Sequence, residues 1–275
     1  MQLSLSVRIA EGFLSKERPV MGLEEVARLA RRAGYDAICM RASQVGVHSP
    51  KEDVDRARQI LADHDLPVSM VTGDFDVVYN NERGPDGLRR IGAVLELART
   101  LAAPLVRVAL KREEDIRWAQ RAADQAAEAG VALVHQCHAL SLFETVAGIE
   151  QTLARINRPN FGLIFEPANL ELCGQDYGPE TIKRLRPWIF NVYLQNQVLN
   201  PEGSTTLETW CRGPVRFDLI PIHQSGGIAL DRVADGLEQI GYDGTVTAHE
   251  SAPPGSPPAD CAVRAAQFLR ERFSR

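Results

Sequence analysis

The sequence predicts an α/β protein of the (β/α)8 barrel class, because eight short apolar runs alternate with amphipathic helical stretches. Eight such units close most naturally into a barrel of parallel strands. An open doubly wound sheet is the alternative, but no GxGxxG motif follows a strand, so its dinucleotide-binding form and a nucleotide cofactor are not expected. The predicted strands lie at 3–8, 37–41, 67–73, 105–110, 131–138, 161–166, 189–195 and 245–250.

The segments between the strands have helical apolar spacing. The first, 22–34, places Leu23, Val26 and Ala30 on one face and ends at Gly34, a residue type that commonly terminates helices. A length of 275 residues suits a single barrel domain over 1–275. The other predicted helices occupy 54–65, 87–102, 116–130, 143–156, 179–187, 230–242 and 259–273.

One long segment, 196–228, interrupts this alternation. Long irregular segments in compact domains are usually either functional or disordered. This one carries the large apolar residues Trp210, Phe217 and Ile222, which favour an ordered structure. We therefore predict a lid.

Bulk composition argues against several kinds of partner. The net charge of −5 and the pI near 5.7 disfavour nucleic acid and anionic membranes. No apolar run approaches the roughly 18 residues of a membrane span, and the N-terminus lacks the pattern of a secretion signal. The cysteines have no CxxC spacing, as expected of reduced thiols, so we expect a cytoplasmic protein. They are Cys39, Cys137, Cys173, Cys211 and Cys261.

Polar residues recur at the predicted strand ends. Barrel active sites lie at the carboxyl ends of the strands, and side chains alternate inward and outward along each strand. Each polar group alone is equally well explained by a neighbouring partner or by water, but burying many of them unpaired would cost about 1–3 kcal/mol each. As a ring they favour a functional site. The inward set is Ser6, Arg8, Cys39, Arg41, Thr72, Asp74, Arg107, Lys111, Gln136, His138, Glu166, Asn191, Tyr193, Gln195, Thr247 and His249.

Four segments in order resemble a known family. VALVHQCHALSLFET, RPNFGLIFEPANL, IFNVYLQN and GYDGTVTAHE are similar to motifs of the sugar phosphate isomerase/epimerase family, the xylose isomerase-like barrels. The resemblance runs from about residue 3 to residue 250. It implies proton transfer next to a sugar carbonyl, with a divalent metal held by Glu, Asp, His and Glu from strands five to eight.

The sequence departs from that pattern at nearly every ligand position. The corresponding residues are Gln136, Glu166, Tyr193 or Gln195, and His249. One carboxylate should hold Mg²⁺ poorly, whereas His138, Glu166 and His249 together suit Mn²⁺, Fe²⁺, Ni²⁺ or Zn²⁺. A metal-free site is the alternative.

The same three side chains, His138, Glu166 and His249, are the candidate catalytic groups. A neutral imidazole can abstract a proton near pH 7, but an imidazole that ligates a metal cannot. If both histidines ligate, a third group, His135 or Glu250, must move the proton.

Cations near the strand ends indicate an anionic ligand. Arg8, Arg41, Arg107 and Lys111 would favour a phosphate, carboxylate or enediolate. The alternative is that these cations pair with Asp74, Glu82 or Glu166. We also expect four further residues to contact substrate, although Trp210 could equally be a packing residue. They are Gln136, Asn169, Gln195 and Trp210.

The sequence thus predicts an isomerase or epimerase of a small sugar or sugar-like polyol. The first alternative is elimination from an oxidised sugar or glycoside with a histidine base. The second is a non-catalytic sugar-binding barrel that has lost its metal. The expected partner is a small carbohydrate, with no nucleic acid and no membrane, and the barrel is expected to be capable of self-association into a homo-oligomer.

Overall fold

A computed structural model of the chain describes residues 1–12, 15–253 and 255–273. Eight parallel strands close into a barrel in which neighbours along the chain lie side by side. The last strand, β11, closes the barrel because it pairs with both β7 and β1. The predicted barrel is confirmed. Its strands are β1 (Gln2–Ser6), β2 (Ala37–Arg41), β3 (Val68–Thr72), β4 (Leu105–Val108), β5 (Ala132–Gln136), β6 (Phe161–Phe165), β7 (Ile189–Leu194) and β11 (Thr245–Ala248).

Helices follow the strands and cover the outside of the barrel. The first ends as predicted at Gly34, whose φ of 84° is left-handed and whose N–H bonds back to the carbonyls of Ala30 and Arg31. No helix in the described ranges combines the length and apolar character that crossing a membrane requires. The helices are α1 (Leu23–Ala33), α2 (Lys51–Asp63), α3 (Phe75–Val78), α4 (Asp86–Arg89), α5 (Ile91–Thr100), α6 (Asp115–Glu128), α7 (Val146–Ile156), α8 (Pro167–Leu172), α9 (Pro179–Leu185), α10 (Leu230–Gln239) and α11 (Pro258–Phe273).

Several strands end earlier than the apolar runs predict. After β1 the chain turns into a 3-10 helix over Val7–Ala10, because the Ser6 hydroxyl accepts a hydrogen bond from the Arg8 N–H. Arg8 therefore lies beyond the strand, and so do Lys111 after β4 and His138 after β5. Apolar composition continues into these loops because they stay buried, so composition alone does not locate the strand ends.

The inside of the barrel changes character along its axis. A small apolar layer fills the interior and includes Cys39, Met70, Val134, Ile164 and Tyr193. Two residues further along the same strands, inward positions hold Arg41, Thr72, Gln136 and Glu166. Strand alternation thus places the polar groups directly above the apolar layer, at the carboxyl ends of the strands.

The predicted lid is an ordered three-stranded antiparallel sheet, which we call the mouth sheet. Glu144 holds one end of it, since its carboxylate accepts the backbone N–H groups of Trp210 (2.7 Å) and Cys211 (3.1 Å). Leu172 packs against Phe217 in a small apolar cluster beneath the sheet. Its strands, in the order β8-β10-β9, are β8 (Asn196–Leu199), β9 (Thr205–Thr209) and β10 (Gly213–Ile220).

Candidate active site

Strand-end side chains and the mouth sheet together line one cavity of about 330 Å³. This volume is at the small end of the range for ligand pockets. The mouth sheet contributes Thr205, Leu207, Phe217 and Leu219 to the wall. The residues predicted from the sequence that line it are Arg8, Arg41, Arg107, Gln136, His138, Glu166, Asn169, Gln195 and His249.

Two predicted substrate contacts lie elsewhere. Lys111 donates from Nζ to the Leu140 carbonyl (2.9 Å) and lies 3.4 Å from Glu82, outside the cavity wall. Trp210 lies at the turn between β9 and β10 with 55% of its surface exposed, and it does not line the cavity. The structure thus places neither residue in the wall of this cavity. Lys111 lies past the end of its strand, and Trp210 is held at the outer end of the mouth sheet.

Glu166 is the most completely enclosed carboxylate of the cavity wall. It follows β6 and precedes Pro167, the first residue of α8, and none of its surface is exposed. One carboxylate oxygen accepts hydrogen bonds from the side-chain amides of Gln136 and Asn169, the latter at 2.6 Å. The other, Oε1, has no hydrogen-bond partner among the described residues. Glu166 thus has one carboxylate oxygen that two amides hold in place and one that has no hydrogen-bond partner among the described residues.

Burial raises the pKa of Glu166 to about 7. The amides of Gln136 and Asn169 and the charges of Arg107 and Arg8 oppose this rise without cancelling it. A carboxyl group with a pKa near neutrality can both accept and return a proton under physiological conditions.

His249 is fixed on three sides. Its Nδ1 lies 3.0 Å from the Ser6 hydroxyl, its Nε2 lies 3.5 Å from Nη1 of Arg41, and its ring stacks on Tyr193 at 3.8 Å. A guanidinium can only donate, so Nε2 is the accepting nitrogen and Nδ1 carries the proton. Burial and then Arg41, Arg8 and Arg107 hold the pKa of His249 well below its usual value. His249 is therefore neutral, with its lone pair directed at a cation.

His138 has one nitrogen engaged and one left over. Its Nδ1 lies 2.9 Å from the Ala139 carbonyl and 3.1 Å from the side-chain amide of Asn80. In either tautomer, these contacts leave Nε2 as the nitrogen that can meet a ligand. Burial and the charge of Arg107 hold the pKa of His138 well below its usual value.

The alternative proton carriers, His135 and Glu250, do not line the cavity. His135 stacks on Phe143 at 4.2 Å, and burial lowers its pKa to about 3. Glu250 accepts the Ile222 N–H at 2.9 Å, and burial raises its pKa to about 7. Each is the direct sequence neighbour of an inward residue, so strand alternation turns both away from the axis.

Three arginines line the cavity, Arg8, Arg41 and Arg107, and the buried carboxylate of Glu11 pairs with two of them. Nε of Arg41 donates to Glu11 at 2.8 Å, and Arg8 lies 3.7 Å from the second oxygen of the same carboxylate. Ser43 also donates to Glu11, at 2.8 Å. Burial lowers the pKa of Arg8 and of Arg107 to about 10, so both stay charged at neutral pH.

Sequence reasoning missed three residues of this site: Glu11, Lys16 and Asn80. Lys16 lines the cavity together with Tyr79, an aromatic residue that the sequence offers as a possible stacking partner for a sugar. Glu11 pairs with Arg41, and Asn80 contacts His138. Burial and then Arg8, Arg41 and Arg107 lower the pKa of Lys16 to about 7. All three lie in loops or short helical turns, where strand alternation carries no information. The sequence signal for Glu11 was its spacing of three residues from Arg8.

Eight parallel strands closed into a barrel, with titratable side chains at the carboxyl ends of the strands, place the chain in the class of (β/α)8 barrels. The model of the xylose isomerase-like TIM barrel family matches residues 27–272, and the chain belongs to this family. None of the curated proteins matches the sequence.

Solved structures with little sequence identity share the fold. The probable 3-DHS dehydratase AsbF of Bacillus anthracis has a TM-score of 0.72 and 14% identity, over 99% of this chain and 100% of that one. A D-allulose 3-epimerase from Methylomonas has a TM-score of 0.70 and 15% identity, over 99% and 98%. The IOLI protein with a bound zinc atom has a TM-score of 0.71 and 18% identity, over 100% and 98%. At such identities the likeness establishes the fold.

The zinc atom in IOLI makes a divalent ion a reasonable expectation for the fold, but the donor set predicted here does not fit one. In the described part of the chain, the only three His, Cys, Asp or Glu groups whose ligand atoms lie within 4.8 Å of one another are Glu144, Cys173 and Cys211, outside the cavity. His138, Glu166 and His249 line one cavity without meeting that distance, so the geometry does not support them as ligands of one metal. His249 directs its lone pair at Arg41, and the nearby guanidinium charges would repel a divalent cation.

Proposed function

We propose that the chain catalyses isomerisation or epimerisation of a small sugar-like substrate by proton transfer at the carbon next to a carbonyl. The observation that carries this proposal is Glu166, which is buried in the cavity wall, has a pKa near 7 and leaves Oε1 free of protein partners. Perturbed carboxyl groups in a cavity are frequent proton carriers.

In the proposed reaction, the Glu166 carboxylate removes the proton and the C–H electron pair forms an enediolate. The proton then resides on the carboxyl group, which its buried setting favours. Isomerisation follows when Glu166 returns that proton to the neighbouring carbon and the hydroxyl proton of the first carbon passes to the enediolate oxygen. Epimerisation follows when a second group returns a proton to the first carbon from the opposite face. Gln136 and Asn169 keep the carboxyl oriented throughout, because both donate to the other oxygen.

The cations of the wall suit the charge that this reaction creates. An enediolate carries a negative oxygen, and preorganised positive groups stabilise such an oxygen strongly in a site that excludes water. Arg107 is our candidate for this role, since it lines the same cavity as Glu166 and both histidines.

Elimination is the second candidate, and the free Nε2 of His138 favours it. In this alternative Nε2 of His138 removes the proton next to the carbonyl, and the C–H electron pair forms the double bond as the neighbouring C–O bond breaks. The protonated Glu166 carboxyl gives its proton to the departing hydroxyl, which leaves as water. AsbF, a probable dehydratase with a similar fold, supports this reaction class as a candidate. Elimination yields an unsaturated product with new ultraviolet absorbance, whereas isomerisation does not.

The test is solvent exchange in deuterium oxide with dihydroxyacetone, D-fructose, D-allulose and keto-D-gluconate. We expect nuclear magnetic resonance to show deuterium at the carbon next to the carbonyl of at least one of them. Glu166→Gln should slow exchange by about 10²–10⁴-fold, the usual contribution of a general acid–base group. Glu250→Gln is the matched control, since Glu250 is also buried but lies outside the cavity.

Exchange that Glu166→Gln leaves unchanged would refute the role of Glu166. No exchange with any of the four compounds would favour the non-catalytic binding barrel over the enzyme.

A further inference from the structure

The positive charge of the cavity exceeds what its own acids neutralise. Three guanidinium groups, those of Arg8, Arg41 and Arg107, are each at least nine-tenths buried. Against them stand Glu11, which pairs with Arg41 and Arg8, and Glu166, which is only partly ionised at neutral pH. His138 and His249 are neutral there and add no charge of either sign.

Two of these cations also have hydrogen-bonding capacity to spare. In the described ranges, the buried Nε atoms of Arg8 and Arg107 have no hydrogen-bond partner. Buried donors of a charged group are costly to leave unpaired, and folded proteins seldom do so without a functional reason. The wall is thus built to receive acceptor oxygens from a ligand.

We propose that Arg8, Arg41 and Arg107 replace the divalent ion as the positive centre of this site, and that they bind an oxyanion carried by the substrate itself. One enediolate oxygen supplies a single negative charge, which is less than three guanidinium groups can pair. A carboxylate or a phosphate on the substrate supplies the rest, and its planar or tetrahedral oxygens match the guanidinium donors. This inference rests on the proposed function for the reaction, but the binding it asserts is measured without turnover.

Lys16 strengthens the same centre from the rim. It lines the cavity beside Tyr79, with its Nζ 5.4 Å from the ring centroid. With a pKa of about 7 Lys16 is only partly protonated at neutral pH, and an anion bound beside it favours the protonated form.

The experiment is calorimetric titration of chelator-treated protein with matched pairs of small ligands. D-Glycerate is compared with glycerol, D-gluconate with D-glucitol, and inorganic phosphate is titrated alone. We expect each sugar acid to bind at least about tenfold more tightly than its neutral partner, a difference that calorimetry resolves easily. Added Mn²⁺ or Zn²⁺ should not tighten the binding.

Variants assign the binding to the arginines. Arg107→Met should weaken glycerate binding by about tenfold or more, and Arg107→Lys should retain part of the affinity because it keeps the charge. Arg112→Met is the matched control, since Arg112 is exposed and pairs with Glu82 outside the cavity. Circular dichroism and thermal melting show whether each variant is folded. If Arg107→Met does not fold, Arg107→Lys still tests the role of Arg107.

The outcomes separate the two proposals. Phosphate binding more tightly than the sugar acids identifies phosphate as the oxyanion and supports the inference. Equal affinity for acid and neutral partners, or binding that chelation abolishes and Mn²⁺ or Zn²⁺ restores, overturns it. Anion binding that depends on Arg107 but is never accompanied by deuterium exchange leaves the oxyanion site standing and removes the proposed reaction.

Discussion

The two halves of the barrel mouth carry different chemistry. The first half, β1 to β4 with the loops after them, supplies the cations Arg8, Lys16, Arg41 and Arg107. The second half, β5 to β7 and β11, supplies the carboxyl, imidazole and amide groups around Glu166. A ligand that spans the cavity would therefore place an anionic end against the first half and its reacting carbon against the second.

This division also explains how the site differs from the pattern that the sequence resembles. In that pattern strands five to eight hold the metal, so all the ligands belong to the second half. Here the second half holds Gln136 and His249 at two of those positions, which removes two carboxylates. Positive charge comes from the first half instead, and Arg41 of that half lies 3.5 Å from His249 of the second.

Replacing Arg41 by methionine in the cationic half of the mouth is expected to cause the largest loss of stability. Arg41 donates to Glu11 at 2.8 Å, and both groups are almost fully buried. Removing one partner of a buried ion pair leaves the other uncompensated and typically costs about 3–5 kcal/mol. The free energy of unfolding in guanidinium chloride measures the loss.

The double variant Arg41→Met/Glu11→Gln is the control for that loss. It removes both charges, so it should recover much of the stability that the single variant gives up. If Arg41→Met alone is as stable as the parent protein, the ion pair with Arg41 does not offset the cost of burying the Glu11 carboxylate.

Within the second half, Glu250 can be compared with Glu166, because both carboxyl groups are buried but only that of Glu166 lines the cavity. Burial raises the pKa of Glu250 from 4.5 to about 7, so the folded state holds its proton more tightly than the unfolded state does. This stabilisation is fully present below the unfolded pKa and is lost as pH rises through the folded one. Glu250→Gln removes that titration.

The stability of Glu250→Gln relative to the parent should therefore rise between pH 4.5 and about 7 and then level off. At about 1.4 kcal/mol per pKa unit, the rise amounts to at most about 3.5 kcal/mol. Urea unfolding of both proteins at a series of pH values measures it. A difference that does not vary with pH would mean that Glu250 titrates normally in the folded protein.

The sequence was sufficient for the barrel and for most of the inward wall. Apolar runs placed all eight strands, and alternation along them brought Arg41, Arg107, Gln136, Glu166 and His249 to one cavity. Alternation holds only where strand pairing holds. Loop residues are positioned by local hydrogen bonds and tertiary contacts, which no periodic pattern records.

Those limits account for the particular errors. Counting in steps of two from the inward residue Arg107 of β4 makes Lys111 an inward residue as well. However, the strand ends at Val108 and the chain turns away. Glu11 gave no strand signal, although it is the carboxylate that allows Arg41 to be buried. The predicted metal ligands His138, Glu166 and His249 lie further apart than one ion requires, for a different reason. Residue type suggested a metal, whereas the distances between the groups and the neighbouring guanidiniums depend on the folded structure.

The smallest expected effect concerns the mouth sheet and compares two of its aromatic residues. Trp210 is 55% exposed at the turn that Glu144 holds, whereas Phe217 is buried and lines the cavity. Surface substitutions usually change free energies by less than about 0.5 kcal/mol, so Trp210→Ala should alter glycerate affinity by less than about twofold. Phe217→Ala removes apolar cavity wall and should weaken binding severalfold, by about 1 kcal/mol. Calorimetry on both variants, with melting curves to confirm folding, makes the comparison. If Trp210→Ala weakens binding as much as Phe217→Ala, the mouth sheet must move on binding and bring Trp210 to the ligand.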